Sequence, residues 1–276
     1  MDSAYPVNEK VNKMHSLILE ILCDIEDFCK ENGILYFLAG GTCLGAVRHS
    51  GFIPWDDDAD LIMPRKDYER FFSTFTEKYG EKYGAANLDT DPGWIREHGR
   101  VWNKKTILRF KNIQVDEIGV FVDIFAIDGL PESRLARKFF FKKMKVLSTL
   151  KYSCIKNYFL EGEKYRALKK IVSVFTKPFG PRFFAKLMDR SARKYDYDSC
   201  RLVAASTAVN YGERETIERE HFASAVYLPF EGNELPVPVD YDAYLTNEYG
   251  DYMTIPEGAA EKGFTHLENW SIEFID

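Results

Sequence analysis

The sequence predicts an α/β fold of the α+β kind, with a mixed sheet as its core and a basic helical insertion. Three observations carry this expectation: a long amphipathic helix near the start, short apolar strands that hold aspartates, and a lysine-rich helical stretch in the middle. At 276 residues, 45% hydrophobic and 15% aromatic, the chain can bury one large core, or a core with an added lobe. We expect a catalytic core over 1–130, the basic insertion over 131–199, and a C-terminal segment over 200–276 that packs back on the core.

Asn8 can cap a helix in which Val11, Met14, Leu17, Ile18, Ile21, Leu22, Ile25 and Phe28 recur at helical spacing until Gly33 ends it. Ile34 to Ala39 reads as a buried strand, Gly40-Gly41 as a turn, and Thr42 to Arg48 as a short helix opening on a capping threonine. Leu61-Ile62-Met63 gives the end of an acidic run the character of a strand, and Arg65 to Tyr79 follows as a helix. Gly99 to Trp102 and Thr106 to Phe110 read as short strands, and Gly119 to Leu130 is the most strand-like run of the later chain. Val226 to Phe230 and Leu235 to Val239 flank Glu231-Gly232-Asn233 as a hairpin, and Asp240 caps a helix through Tyr249.

Asp56, Asp57, Asp58 and Asp60 fall within five positions. Carboxylates so close repel one another, so cations must neutralise them or water must solvate them. On a strand alternate side chains share a face, which would aim Asp58 and Asp60 the same way about 7 Å apart. Two such carboxylates can share two divalent ions, and oxygen-only ligation favours Mg²⁺ or Mn²⁺. Asp123 sits among apolar neighbours, where an unpaired carboxylate is costly, so it is expected at the same ions. Asp58, Asp60 and Asp123 thus form the expected metal and catalytic set.

Asp56 and Asp57 read equally as turn residues after Pro54, and Asp128 as a turn residue at its strand's end. A calcium loop is excluded, because counting from Asp56 puts Leu61 and Asp67 where an EF-hand needs glycine and glutamate. Backbone N–H groups of Gly40, Gly41 and Thr42 at a helix start can hold an anion such as phosphate, with Arg48 and His49 as further donors. Lys104 is either another phosphate contact or, with Lys105, a hairpin-tip charge.

The string from Gly41 to Tyr68, GTCLGAVRHSGFIPWDDDADLIMPRKDY, resembles the LicD family, whose core has the nucleotidyltransferase fold. The resemblance extends to Phe121-Val122-Asp123-Ile124-Phe125, to Asp128-Gly129-Leu130-Pro131, and to the segment from Phe230 to Tyr252. It implies a phosphotransferase that moves a phosphoalcohol, phosphocholine or ribitol phosphate, from a CDP-activated donor to a hydroxyl. The acceptor would be a cell-surface glycan or its lipid-linked precursor, and CMP would leave. It also implies that the C-terminal segment packs beside the site. One departure is visible: the family often ends on paired histidines, where this chain reads Lys262-Gly263-Phe264-Thr265-His266-Leu267. An ordinary nucleotidyltransferase, an Asp-x-Asp glycosyltransferase and a non-catalytic binding module are the alternatives.

Residues 134–194 hold eighteen Lys or Arg against Glu161, Glu163 and Asp189, a net +15 in a chain of net −6, which leaves −21 elsewhere. Aromatic residues interleaved with these charges suggest amphipathic helices resting on an anionic membrane surface. A solvated lid and a nucleic-acid surface are the other readings, nucleic acid the least favoured. Cys23, Cys29, Cys43, Cys154 and Cys200 fit neither zinc spacing nor a disulfide framework, the start MDSAYPVNEK lacks a signal peptide, and no apolar run approaches the ~20 residues of a span. These features lead us to expect a cytoplasmic protein, peripheral at the inner face of the membrane.

Overall fold

The computed structural model describes residues 9–110, 118–155, 166–258 and 270–275, so the features expected at Asn8 and His266 lie outside the described residues. The mixed α/β class expected from the sequence is the one observed. Helix α1 (Glu9–Asn32) buries Val11, Met14, Ile18, Ile21, Leu22, Ile25 and Phe28 of its apolar stripe, leaves Leu17 half-buried, and stops where Gly33 turns at φ +59°. Strand β1 (Phe37–Leu38) is shorter than expected, and helix α2 (Gly40–His49) starts without an intervening turn because Gly40, at φ +48°, makes the change of direction alone.

Strand β2 (Asp60–Pro64), helix α3 (Arg65–Tyr79), β3 (Tyr83–Ala86), β4 (Gly99–Asn103), β5 (Thr106–Phe110) and β6 (Phe121–Gly129) follow. The main sheet runs β1-β2-β6-β4-β3, with β2 parallel to β6 and the remaining pairs antiparallel. Strand β3, Tyr-Gly-Ala-Ala, carries little strand propensity, and it holds its place by packing. A β-carbon on Gly84 would meet the Trp102 ring at 2.2 Å.

Register decides which side chains meet. Asp60 pairs with Asp123, and Asp123 with Arg100, so all three leave the same face of neighbouring strands. The opposite face, which carries Leu61, Ile124 and Gly99, is the core side. Phe72 of α3 presses on Gly99 so closely that a β-carbon would lie 2.1 Å away, and Phe28 of α1 meets Phe71 and Phe75 edge-on. Two helices therefore cover one face, and the polar ladder is confined to the other.

Helices α4 (Arg134–Ile155), α5 (Arg166–Thr176) and α6 (Gly180–Ala192) form a layer with a core of its own, built from Phe140, Phe141, Met144, Leu147, Phe184 and Met188 against Leu130 and Leu202. Buried polar links dock this layer. Lys151 pairs with Glu97, and the Arg182 guanidinium donates to the carbonyls of Leu88, Asp91 and Trp94. Asp128 is not the turn residue expected from sequence. It is 1% exposed and takes the Arg65 fork on both oxygens, while Arg65 also reaches Asp189 on α6. A carboxylate buried that deeply needs such a partner.

The C-terminal part comprises β7 (Leu202–Ala204), β8 (Ile217–Glu218), the hairpin of β9 (Ala225–Phe230) and β10 (Asn233–Pro238), α7 (Tyr241–Tyr249) and β11 (Trp270–Phe274), which pairs with β5. Glu231 and Gly232 turn the hairpin at φ +50° and +80°, and Asp240 caps α7 by accepting from the Ala243 N–H. No helix among the described residues is long and apolar enough to cross a membrane.

Candidate active site

The start of α2 and the acidic loop before β2 lock together. The Asp60 N–H donates to Thr42 Oγ1 at 2.9 Å, so Thr42 does not cap its helix as expected, and the Ala39 N–H donates to the Asp60 carbonyl at 2.9 Å. A β-carbon on Gly41 would come within 2.8 Å of Asp56 Oδ2, and one on Gly40 within 3.8 Å of Asp60 Oδ2. Gly41 therefore leaves room for a carboxylate at the helix start, whereas a β-carbon on Gly40 would make only ordinary contacts. His15 of α1 steadies the loop, stacking on Phe52 at 4.1 Å with its Nε2 2.7 Å from the Asp56 carbonyl.

Asp58 precedes β2 rather than lying on it, so strand alternation does not bring it to Asp60; the loop does. Carboxylate oxygens of Asp56, Asp57 and Asp58 lie within 4.8 Å of one another. Burial, then the charges of Asp60 and Asp56, push the Asp58 carboxyl well above the usual range, although the residue keeps some exposure to solvent. Burial and the neighbouring Asp123 do the same to Asp60, and burial and Asp57 raise Asp56 to about 6. Three neighbouring carboxyls, Asp56, Asp58 and Asp60, are thus pushed up by burial and by one another, a cluster that divalent cations could neutralise, and its all-oxygen donor set fits Mg²⁺ or Mn²⁺.

Asp123 differs from the others. Burial alone would raise it, but Arg100 and His98 overcome that and hold it well below the usual carboxylate range. The Arg100 fork takes both oxygens, with the guanidinium lying over the Phe121 ring, and His98 Nε2 stands 3.3 Å from Oδ1. A carboxylate held so low is a poor proton acceptor and suits a cation better than the proton of an acceptor hydroxyl. It keeps lone pairs for a cation, since the two Arg100 bonds use half of them.

Other expected contacts are placed as follows. Arg48, in the last turn of α2, donates to the Tyr252 carbonyl at 2.8 Å. His49 meets Trp55 edge-on. Lys104 sits on the tip between β4 and β5 with its ammonium on the Gly80 carbonyl, four residues and so about 13 Å along the chain from Arg100.

Sequence reasoning missed several residues that the fold brings in. Arg96 lies beside Arg100 and Asp123, makes no hydrogen bond or ion pair with a described residue, and is pushed below its ordinary pKa by burial and by Arg100. Tyr244 of α7 accepts from the Gly40 N–H at 3.0 Å, which leaves the Gly41 and Thr42 N–H groups as the helix-start donors. Behind Tyr244, Glu215 and Glu248 are both buried; burial and Glu248 push Glu215 well up, and burial raises Glu248 to about 7. Only the late strings from Phe230 to Tyr252 signalled this side of the site, and they signalled it without naming a side chain.

Residues 33–188 match the family described as "LicD/FKTN/FKRP, nucleotidyltransferase domain". Lipopolysaccharide cholinephosphotransferase LicD of Haemophilus influenzae is 29% identical over 250 residues, covering 88% of this chain and 91% of that protein. Ribitol 5-phosphate transferase FKRP of Homo sapiens is 33% identical over 85 residues, 31% of this chain and 15% of that protein. Mannosyltransferase regulator 4 of Saccharomyces cerevisiae is 30% identical over 124 residues, 43% of this chain and 10% of that protein. The matched span covers more than half of the sequence and includes α2, the acidic loop and the Asp60–Asp123 ladder, so the chain belongs to the LicD family and is a transferase.

Proposed function

We propose that this protein moves a phosphoalcohol from a CDP-activated donor to a hydroxyl of a cell-surface glycan or its lipid-linked precursor, releasing CMP. The observation that carries the reading is the acidic ladder of Asp60 and Asp123 set against the start of α2, in a chain that spans 91% of a lipopolysaccharide cholinephosphotransferase. A second relative is named a ribitol 5-phosphate transferase, and the two share a phosphoalcohol as cargo.

Asp58 and Asp60 would hold two divalent ions, Mg²⁺ or Mn²⁺, with Asp56 beside them and Asp123 at the third corner. Bound there, the ions supply charge to the donor's phosphates and to the leaving CMP. Gly41 and Thr42 present N–H groups to the same diphosphate, and Gly40, at φ +48°, makes the turn that starts their helix. Arg96 offers a dehydrated guanidinium to a phosphate oxygen. Arg100 fixes Asp123 in one orientation, so the ladder is set before substrate arrives. The acceptor oxygen attacks the distal phosphorus in line, a bond forms to that phosphorus as the bond to CMP breaks, and the hydroxyl proton passes to a carboxylate of the cluster. The cytoplasm is the proposed place of work.

The test is to incubate the protein with CDP-choline, CDP-ribitol and CDP-glycerol in parallel, with glycan acceptor and Mg²⁺, and to measure CMP release. A donor labelled on its distal phosphorus should pass the label to the glycan. Cytidylate on the acceptor with label left in solution would make the protein a nucleotidyltransferase instead, and a free sugar transferred from a nucleotide sugar would make it a glycosyltransferase.

A further inference from the structure

Among the described residues, helices α4 to α6 carry one apolar face that is buried and another that is exposed. Phe140, Phe141, Met144, Leu147, Phe184 and Met188 fill the layer's own core, while Ser173 and Thr176 turn the inner side of α5 toward α4. On the outer side, Ile171, Val174 and Phe175 recur at helical spacing and are 54%, 69% and 72% exposed. Phe179 and Phe183 continue that apolar run across the turn into α6, their rings 5.3 Å apart. Phe179 is 61% exposed. These five side chains leave roughly 500 Å² of apolar surface in water, at the size where a patch on a monomer usually has a partner.

Charge says what the partner is. Lys170, Lys177 and Lys186 are exposed on the same elements, in a segment of net +15, while the rest of the chain is net −21. A second copy would bring basic face to basic face and be repelled. A nucleic acid would meet the lysines but give the phenylalanines no apolar phase. An anionic bilayer satisfies both, since side chains of this kind sink to the acyl boundary while lysines reach the headgroups, and the acidic remainder is turned away from the surface.

We propose that the outer face of α5 and the start of α6 docks this protein on anionic lipid, with Phe175 and Phe179 inserted and Lys170, Lys177 and Lys186 on the headgroups. The face uses none of the residues assigned to the donor, so its failure would leave the proposed chemistry untouched, and the reverse also holds.

The full-length protein is sedimented with vesicles of phosphatidylcholine containing phosphatidylglycerol, and with vesicles of phosphatidylcholine alone. Binding is expected to the first only, weakened at least tenfold by the Phe175→Ser/Phe179→Ser pair and by the Lys170→Glu/Lys177→Glu/Lys186→Glu triple. Because all five positions are exposed, circular dichroism and melting temperature should not change. Phe179→Trp provides an independent reading: its emission should shift to the blue and be quenched by brominated acyl chains. The proposal is overturned if anionic vesicles are not bound at low salt, or if the serine pair binds as well as wild type. It also fails if sedimentation in lipid-free buffer shows a dimer that the serine pair abolishes, for then a second copy is the occupant.

Discussion

Replacing Asp60 by asparagine should make the metal-free protein more stable and the metal-loaded protein less stable. Asp60 and Asp123 are register partners on adjacent strands, so their side chains start about 5 Å apart. Two full charges at that distance repel by about 3 kcal/mol at an effective dielectric constant near 20. Protonation sheds part of this, and burial with Asp123 already holds Asp60 well above its ordinary pKa. The net gain for Asp60→Asn without metal is therefore about 1–2 kcal/mol, a rise of a few degrees in melting temperature for a chain of this size.

With a divalent ion at a hundred times its dissociation constant, the wild type should gain about 2.7 kcal/mol by mass action, or roughly 5–10 °C. The variant has lost a ligand and should gain little. Melting curves in EDTA and in millimolar Mg²⁺ or Mn²⁺ should therefore cross, with the variant ahead in the first and wild type ahead in the second. Turnover of Asp60→Asn should drop by about 10²-fold or more. A wild type whose melting temperature ignores both metals, or a variant that responds as fully as wild type, would remove the metal site from this cluster.

Gly41→Ala should reduce turnover at least tenfold with little loss of stability, because its methyl group would press on Asp56 Oδ2 at 2.8 Å; steady-state kinetics and a melting curve check both halves. Arg96→Ala should raise the donor's KM by about 10- to 100-fold, the worth of one charge-assisted bond at 1.4 kcal/mol per tenfold, with the fold intact by circular dichroism. Lys151→Met should destabilise by about 3–5 kcal/mol, because it strands Glu97 in the interior, and the double change with Glu97→Leu should recover most of that in urea melts. Metal-free stability should fall as pH rises from about 4.5 to 7: Glu215, Glu248 and Asp56 are raised, so the folded state keeps protons that the unfolded chain releases near 4.3. A rise in stability across that window, measured in EDTA, would reverse the assigned direction of these shifts.

How much of this could be read from sequence depended on the range of the interaction. The α1 stripe, the span of α3, the β9–β10 hairpin and the Asp240 cap rest on contacts within a few residues, and all were legible. Strand β3 was not, because a Tyr-Gly-Ala-Ala segment becomes a strand only when Trp102 of the next strand lies over it. In the site, the acids and glycines announced themselves by density. Their partners did not, because Arg100, Arg96, Tyr244 and Glu248 reach the cluster through pairings 23 to more than 200 residues apart, such as Arg100 with Asp123 and Tyr244 with Gly40. The same blindness explains the misreading of Asp128, whose partner Arg65 lies 63 residues away.

The basic segment, which sequence left open among lipid, lid and nucleic acid, divides by direction once folded. Lys151, Arg182 and Arg193 point inward: they bind Glu97, the carbonyls of Leu88, Asp91 and Trp94, and the carboxylates of Asp189, Asp89 and Glu69. Those charges are structural, and what they hold is the run leading into β4, which carries Arg96, His98 and Arg100 to Asp123. A partner can therefore draw on the outward basic residues, and any pull it exerts on α5 and α6 passes to the site through Arg182 of α6 and, by way of α4, through Lys151. Substituting the outward residues should change where the enzyme sits and leave turnover on a soluble acceptor as it was, whereas Arg182→Ala, which frees three carbonyls beside Trp94, should slow turnover even with no membrane present. An Arg182→Ala enzyme with wild-type kinetics would mean that the strand holds Arg100 without help from the helical layer.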